Sequence, residues 1–176
     1  YVTSEEAGIV NSTVAAMGIP VITAPHDAEA FACMLALEKK VAAVWTIDSD
    51  VFLFGIAINI RSTIGYTGAE PTVEVGLPQL AIQGLGMSLA QFVDMGIILQ
   101  CDFNVRMKGN GMAFAHKAIT QYGSIEATMA AFPNKPWPDL CHVRCREIFS
   151  PHPTGIPFDA LRVAKERLVE FNETRH

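Results

Sequence analysis

The sequence predicts an α/β protein: a mostly parallel sheet flanked by helices, followed by a helical C-terminal region. Three observations lead there. Helical and strand-like patterns alternate early in the chain, as they do where helices connect parallel strands. Half of the 176 residues are hydrophobic, enough for one sizeable core. The apolar run VAAVWTIDSDVFLFG, Val41 to Gly55, has strand length and then presents two aspartates one residue apart.

In order, Glu5 to Met17 reads as a helix capped by Thr3 or Ser4, with acids in its first turn and Gly18 as its stop. Ile19 to Thr23 reads as a short buried strand. Pro25 opens a second helix to about Lys39, with Asp27 and Glu29 near its start and Lys39-Lys40 at its end, a charge order that suits the helix dipole. Val41 to Gly55 follows as the central strand with its aspartates. Ala57 to Arg61 is a further strand, Ser62 to Pro71 a loop, Thr72 to Gly76 a short extended segment, and Leu77 to Gln83 a short helix ended by Gly84.

Ser88 caps a helix with the apolar stripe Leu89, Phe92, Val93, Ile97 and Ile98, stopping near Gln100 just before Asp102. Met112 to Tyr122 repeats at helical period, and Ser124 caps another helix to about Phe132. Pro133 to Pro138 breaks the chain, Asp139 to Phe149 is helical, Ser150 to Pro157 breaks it again, and Phe158 to Phe171 forms a last amphipathic helix.

Asp48 and Asp50 are the first candidate site. In an extended chain side chains alternate, so residues two apart project together. Adjacent carboxylates repel unless a cation lies between them or they share a proton, which points to a divalent metal. A turn begun by Asp48 and a short element capped by Asp50 accounts for the same residues, and this stretch alone does not separate the two readings. In a parallel α/β sheet ligands gather at the carboxyl ends of strands, so Asp27 and Glu29 after one strand join Asp48 and Asp50 after another at the same edge.

The net charge of -5 is uneven: residues 1–100 hold three basic and ten acidic side chains, the rest ten and eight. An acidic half suits metal ions and a mildly basic half a polyanion. The four cysteines form no paired framework and read as reduced thiols. Cys141, His142 and Cys145 share a helix, but zinc would need two more ligands from scattered histidines such as His116 and His152, so buried small hydrophobes are the simpler reading. No apolar run is long enough to cross a bilayer and the N-terminus lacks a signal-peptide pattern, so the expectation is a soluble, intracellular protein. The chain starts at Tyr1 rather than Met, which reads as a fragment or processed product.

Lys-Gly-Asn-Gly, Lys108 to Gly111, opens the Met112 helix. Glycines there turn backbone N–H groups outward, where a phosphate can accept them. An ordinary inter-helix turn reads the same way.

Together, GIPVITAPHDAEAFACMLA, WTIDSDVFLFG, QFVDMGIILQCDF and KGNGMAFAHKAI resemble, in order and spacing, the flap-endonuclease/XPG family of structure-specific 5′ nucleases. The resemblance covers about residues 1 to 150. It implies a PIN-like nuclease core lacking its N-terminal portion over 1–100, and over 101–176 a helical region with a helix–hairpin–helix element that reads the DNA backbone. It also implies two magnesium ions, with manganese as substitute, driving phosphodiester hydrolysis in branched or flapped DNA. By motif position the family's acids fall on Asp27, Glu29, Asp48, Asp50 and Asp102, as metal ligands and catalytic residues. Its DNA-backbone contacts fall on Lys108, Gly109, Gly111, His116 and Lys117, with a monovalent cation at the hairpin. Replication and repair proteins as partners, and a nuclear or replication-site location, are further implications. No sliding-clamp motif is seen.

The departures are specific. Asp27 is one methylene shorter than the family's usual Glu, and Gln100-Cys101 replaces Gly-Ser before Asp102. Asn110 stands where an apolar residue is expected, and Met112, Ala113 and Phe114 replace a proline-plus-basic stretch. The family's upstream aspartates and helical arch would lie before Tyr1, so low activity is expected of this chain alone. Two alternatives stand beside the nuclease. One is a DNA-binding relative without turnover. The other is a phosphatase of haloacid-dehalogenase type using Asp48 and Asp50, which leaves Asp27 and Glu29 unexplained.

Overall fold

A computed structural model describes residues 3–61, 73–105, 109–138, 140–150 and 166. Ala32–Thr154 form one compact unit, and the described residues up to Phe31 belong to another. The expected loop at 62–71 lies outside the described residues, and so does the expected last helix apart from Glu166, which is helical.

Helix α1, Ser4–Ala16, begins as its sequence dictates. The Thr3 side chain accepts from the Glu6 N–H, and the Glu6 carboxylate accepts from the Thr3 N–H at 2.8 Å, a reciprocal capping box. Gly18 takes a positive φ of 78° just after the helix end, a conformation glycine adopts without a Cβ penalty. No α1 residue is buried. The strand expected at Ile19 to Thr23 is absent: those residues make no strand ladder. Helix α2, Ala28–Leu37, starts three residues after Pro25 because Asp27 caps it, Oδ1 accepting from Ala30 N–H at 2.7 Å. Lys39, at φ 58°, turns the chain out of the helix.

The sheet is small and mixed. Strands β1, Val44–Trp45, and β2, Asn59–Ile60, pair in parallel, and β2 pairs antiparallel with β3, Val75–Gly76. Across it, Val44, Asn59 and Gly76 form one row and Trp45, Ile60 and Val75 the next. Asn59 is fully buried and ties the strands through Nδ2, which donates to the Val44 and Thr46 carbonyls at 3.2 Å each. A Cβ on Gly76 would meet the Phe52 ring at 2.6 Å, so glycine is what admits that ring. The long central strand is corrected: pairing ends after Trp45, and Asp50–Phe54 is a 3₁₀ turn closed by Gly55 at φ 69°. An apolar run does not by itself distinguish a strand from a buried turn.

Helix α3, Pro78–Gly84, starts with Pro at its first turn. Helix α4, Leu89–Leu99, carries a Ser88–Gln91 capping box and buries Val93, Asp94, Met95, Ile97 and Ile98. It is the core element, packing against the 3₁₀ turn, α5 (Met112–Tyr122), α6 (Ile125–Ala131) and α7 (His142–Ile148). Its Gly96 sits where a Cβ would stand 2.6 Å from Leu53 Cδ2, so the absent side chain lets the 3₁₀ turn seat on the helix.

Asp94 is the polar member of that buried face. Its oxygens accept from Arg146 at 2.6 and 2.7 Å and from Ile125 N–H at 3.0 Å. Arg146 also grips Glu126 at 2.6 and 2.9 Å, so one guanidinium joins α4, α6 and α7.

Candidate functional site

Asp48 sits three residues after the end of β1. Its N–H donates to Thr46 Oγ1 at 3.1 Å, and its Oδ1 accepts from Asp50 N–H at 2.8 Å. This is an Asx turn, the local device open to a short acidic side chain. Ser49 is in helical conformation, φ -82° and ψ -17°, so the chain has left the extended state before Asp50. Strand alternation therefore does not set the direction of the two side chains; the turn does.

Asp50 then reaches across the fold. Its Oδ2 accepts from Asp102 N–H at 3.0 Å, which links the β1 loop to the loop after α4. Asp48 and Asp50 are half-buried, and Asp102 is exposed. Arg61 braces the same turn from β2: Nη2 donates to the Ile47 carbonyl at 2.9 Å while the guanidinium lies 5.7 Å from the Phe52 ring. Below the acids, Phe149 packs edge-on against Phe54 at 5.1 Å and Phe103 at 5.7 Å, one ring supporting both acidic loops.

Cys101, next to Asp102, faces Cys145 with the sulfurs 4.0 Å apart. Cys145 Sγ also donates to the Phe103 carbonyl at 3.5 Å, which ties α7 to the loop after α4. Burial, then the neighbouring Cys101 and Asp50, pushes the Cys145 thiol up to about 12. Cys33, Cys101 and Cys145 are buried and Cys141 is exposed.

Asp27 and Glu29 belong to the start of α2. Asp27 is exposed and spends Oδ1 on capping; Glu29 is half-buried. Neither follows a strand end, since the segment before them is not a strand. Among the described residues no three His, Cys, Asp or Glu side chains gather closely enough to hold one ion. The donor set still suits magnesium or manganese, which take hard carboxylate oxygens. Magnesium in particular keeps several waters and binds through one or two carboxylates plus substrate phosphate.

At the hairpin, Gly109 has φ 82° and Gly111 is the N-cap of α5, with open space around both. His116 is half-buried and Lys117 exposed on α5. Lys108 lies outside the described residues. Asn110, which stands where the family pattern has an apolar residue, is buried.

Residues 18–102 match the XPG I-region. All five candidate acids fall inside that match, and Asp102 is its last residue. Flap endonuclease 1 of Leishmania braziliensis is 36% identical over 137 residues, covering 76% of this chain and 34% of the relative. Flap endonuclease 1 of Komagataella phaffii is 32% identical over 190 residues, covering 99% of this chain and 50% of the relative.

The chain belongs to the flap-endonuclease/XPG family.

Solved structures agree on the fold. Flap endonuclease-1 from Methanococcus jannaschii superposes with a TM-score of 0.70 at 20% identity, covering 99% of this chain and 60% of that one. The catalytic core of Rad2 in complex with DNA substrate gives 0.66 at 24% identity, covering 98% of this chain and 50% of that one. The α/β nuclease fold is thus shared. This flap-endonuclease/XPG chain spans half or less of the length of those two flap endonuclease 1 relatives.

Sequence reasoning singled out Asp48, Asp50 and Asp102 but missed Arg61, Phe149 and Asp94. Asp94 left a signal: an acid between Val93 and Met95 on an otherwise apolar face must find a cation when buried.

Proposed function

We propose that this chain contributes the acidic centre and the duplex-binding hairpin of a divalent-metal-dependent, structure-specific DNA nuclease acting at flaps or branches. The observation that carries the reading is the relay from Asp48 through Asp50 to the Asp102 backbone, which ties two family-matched loops together. On this reading residues 1–100 supply the α/β core and 101–176 the helical DNA-binding region.

Asp48, Asp50 and Asp102, with Asp27 and Glu29, are the residues that would hold magnesium or manganese, as two ions. When bound, such ions activate a water and neutralise the leaving oxyanion of a phosphodiester. The chain's own part is positional. The Asx turn fixes Asp48 against the Asp50 backbone, the Asp102 N–H orients the Asp50 carboxylate, and Arg61 and Phe149 keep the loops from spreading. No protein nucleophile is required. Gly109 and Gly111 present backbone N–H groups to a phosphate, and Lys108, His116 and Lys117 are further phosphate contacts on this reading, a mode that reads DNA without sequence preference. A monovalent cation at the hairpin, partners from replication and repair, and an intracellular place of action at sites of DNA synthesis belong to the same reading.

The sequence departures favour a second reading. With Asp27 one methylene shorter than the family's usual Glu, and Met112, Ala113 and Phe114 in place of a proline-plus-basic stretch, a relative that binds branched DNA without cutting it is the alternative.

The test is magnesium-dependent cleavage of a 5′-flap substrate by the full-length protein. Cleavage that falls to background in Asp48→Asn/Asp50→Asn supports the nuclease; unchanged cleavage overturns it. Tight flap binding with no cleavage in magnesium or manganese selects the second reading.

A further inference from the structure

Beyond the hairpin, α5 carries a pocket of about 350 Å³ with one member of the hairpin set, Lys117, in its wall. It is lined by Phe114, Lys117, Ala118, Gln121, Tyr122 and Phe132. The aromatic residues are held as a group. Phe132 meets Phe114 at 5.5 Å and Tyr122 at 5.7 Å, both edge-on, and Trp137 lies 6.5 Å from Phe114. Trp137 is itself fixed, its Nε1 donating to the Phe132 carbonyl at 2.9 Å. Lys135 Nζ stands 4.1 Å from the centre of the Phe114 ring.

The chemistry of this pocket selects its occupant. Its walls are largely aromatic, two ammonium groups stand in or beside it, and among the described residues no carboxylate lines it. Glu126, an acid of the next helix, is held by Arg146 and His142. Aromatic faces with flanking cations make the surface on which single-stranded nucleic acids stack their bases and place their phosphates. The polar ends available, the Gln121 amide and the Tyr122 hydroxyl, can pair with a base edge. An apolar peptide would use the rings but would bring no anion to Lys117.

We propose that this pocket receives one unpaired nucleobase of a DNA strand, stacked among Phe114, Tyr122 and Phe132, with the adjoining phosphate on Lys117. This rests on the nucleic-acid reading above and adds a single-strand site next to the duplex-binding hairpin. It places a stacking aromatic, Phe114, where the family pattern has a proline-plus-basic stretch.

The experiment is fluorescence anisotropy of the full-length protein with a short labelled oligothymidylate and with a matching abasic deoxyribose-phosphate oligomer. Phe114→Ala is predicted to weaken oligothymidylate binding about 10-fold, the size of one lost base–aromatic stack, and to leave abasic binding unchanged. Lys117→Ala should reduce the salt dependence of both by about 0.7 in log–log slope, one phosphate on a single strand. Gln121→Glu alters an exposed helical position without removing a ring, so it tests the pocket even if Phe114→Ala unfolds. It should weaken oligothymidylate binding while circular dichroism stays that of the parent.

Equal affinity for the two oligomers, or wild-type oligothymidylate affinity in folded Phe114→Ala and Gln121→Glu, overturns the proposal. Neither result touches the flap-cleavage test, so the nuclease reading stands or falls separately. Binding of an aromatic, proline-rich peptide that oligothymidylate cannot displace also overturns it and gives the pocket to a protein partner.

Discussion

The backbone N–H of Asp102 donates to Asp50 Oδ2 at 3.0 Å, across a sequence separation of 52 residues. A carboxylate of the β1 loop thus holds the backbone of the loop after α4, so a change at Asp50 acts on structure and on charge at once. Asparagine separates the two effects, because its carbonyl oxygen can accept the same N–H. Asp50→Ala is predicted to cost about 1–2 kcal/mol in urea denaturation, the loss of a charge-assisted bond with partial desolvation, and Asp50→Asn less than half as much. Equal losses in the two variants would show that the bond does not hold the loops.

Arg146 is the second point of closure. Asp94 is 4% exposed, and the guanidinium is its charged partner. Removing one member of a buried pair leaves the other charge uncompensated, so Arg146→Ala should destabilise by about 3–5 kcal/mol. Asp94→Asn in the same background should recover part of that loss. Thermal melts of the two single variants and the double variant check the cycle.

The same network sets an acid limb. Hydrogen bonding to Arg146 lowers the Glu126 carboxyl from 4.5 to about 2. A lowered carboxyl contributes stability that is complete above its unfolded value and is lost as the pH falls from about 4.5 toward 2. The Glu126 side chain is half exposed, so solvent screening keeps the contribution modest. Urea midpoints measured across that window should fall less steeply in Glu126→Gln than in the parent.

Gly96 and Gly84 make a matched pair on neighbouring helices. A methyl at Gly96 meets Leu53 in the buried face under Asp50, whereas a methyl at Gly84 meets nothing within 4 Å. Gly96→Ala is therefore predicted to destabilise by about 1–3 kcal/mol through overpacking. Gly84→Ala, at the last residue of α3, should be neutral or gain up to about 1 kcal/mol in helix propensity. Denaturant unfolding of the two variants decides it, and the reverse order would refute the packing account.

The helices were legible because their signals are local. Thr3 with Glu6, and Ser88 with Gln91, spell out reciprocal caps, and the glycines at 111 and 123 bracket α5. The strands were less so: Val41 to Gly55 is uniformly apolar, and only the Asx turn at Asp48 converts its second half into a 3₁₀ turn. Ile19 to Thr23 has strand composition but forms no strand among the described residues, since composition does not fix a ladder. Of the candidate site, the acids could be named from type and spacing. The bonds that arrange them could not, because Asp50 to Asp102 and Arg61 to Ile47 join residues distant in sequence. Arg61 itself looked like a strand end rather than a brace.

On the proposed reading, the acids of the β1 loop and the loop after α4 act together on a divalent ion. Manganese titration followed by electron spin resonance measures this directly in the intact protein. A bound fraction that magnesium displaces, and that both Asp50→Asn and Asp102→Asn weaken, is the expected outcome. Manganese binding of equal strength in the parent and both variants would contradict it.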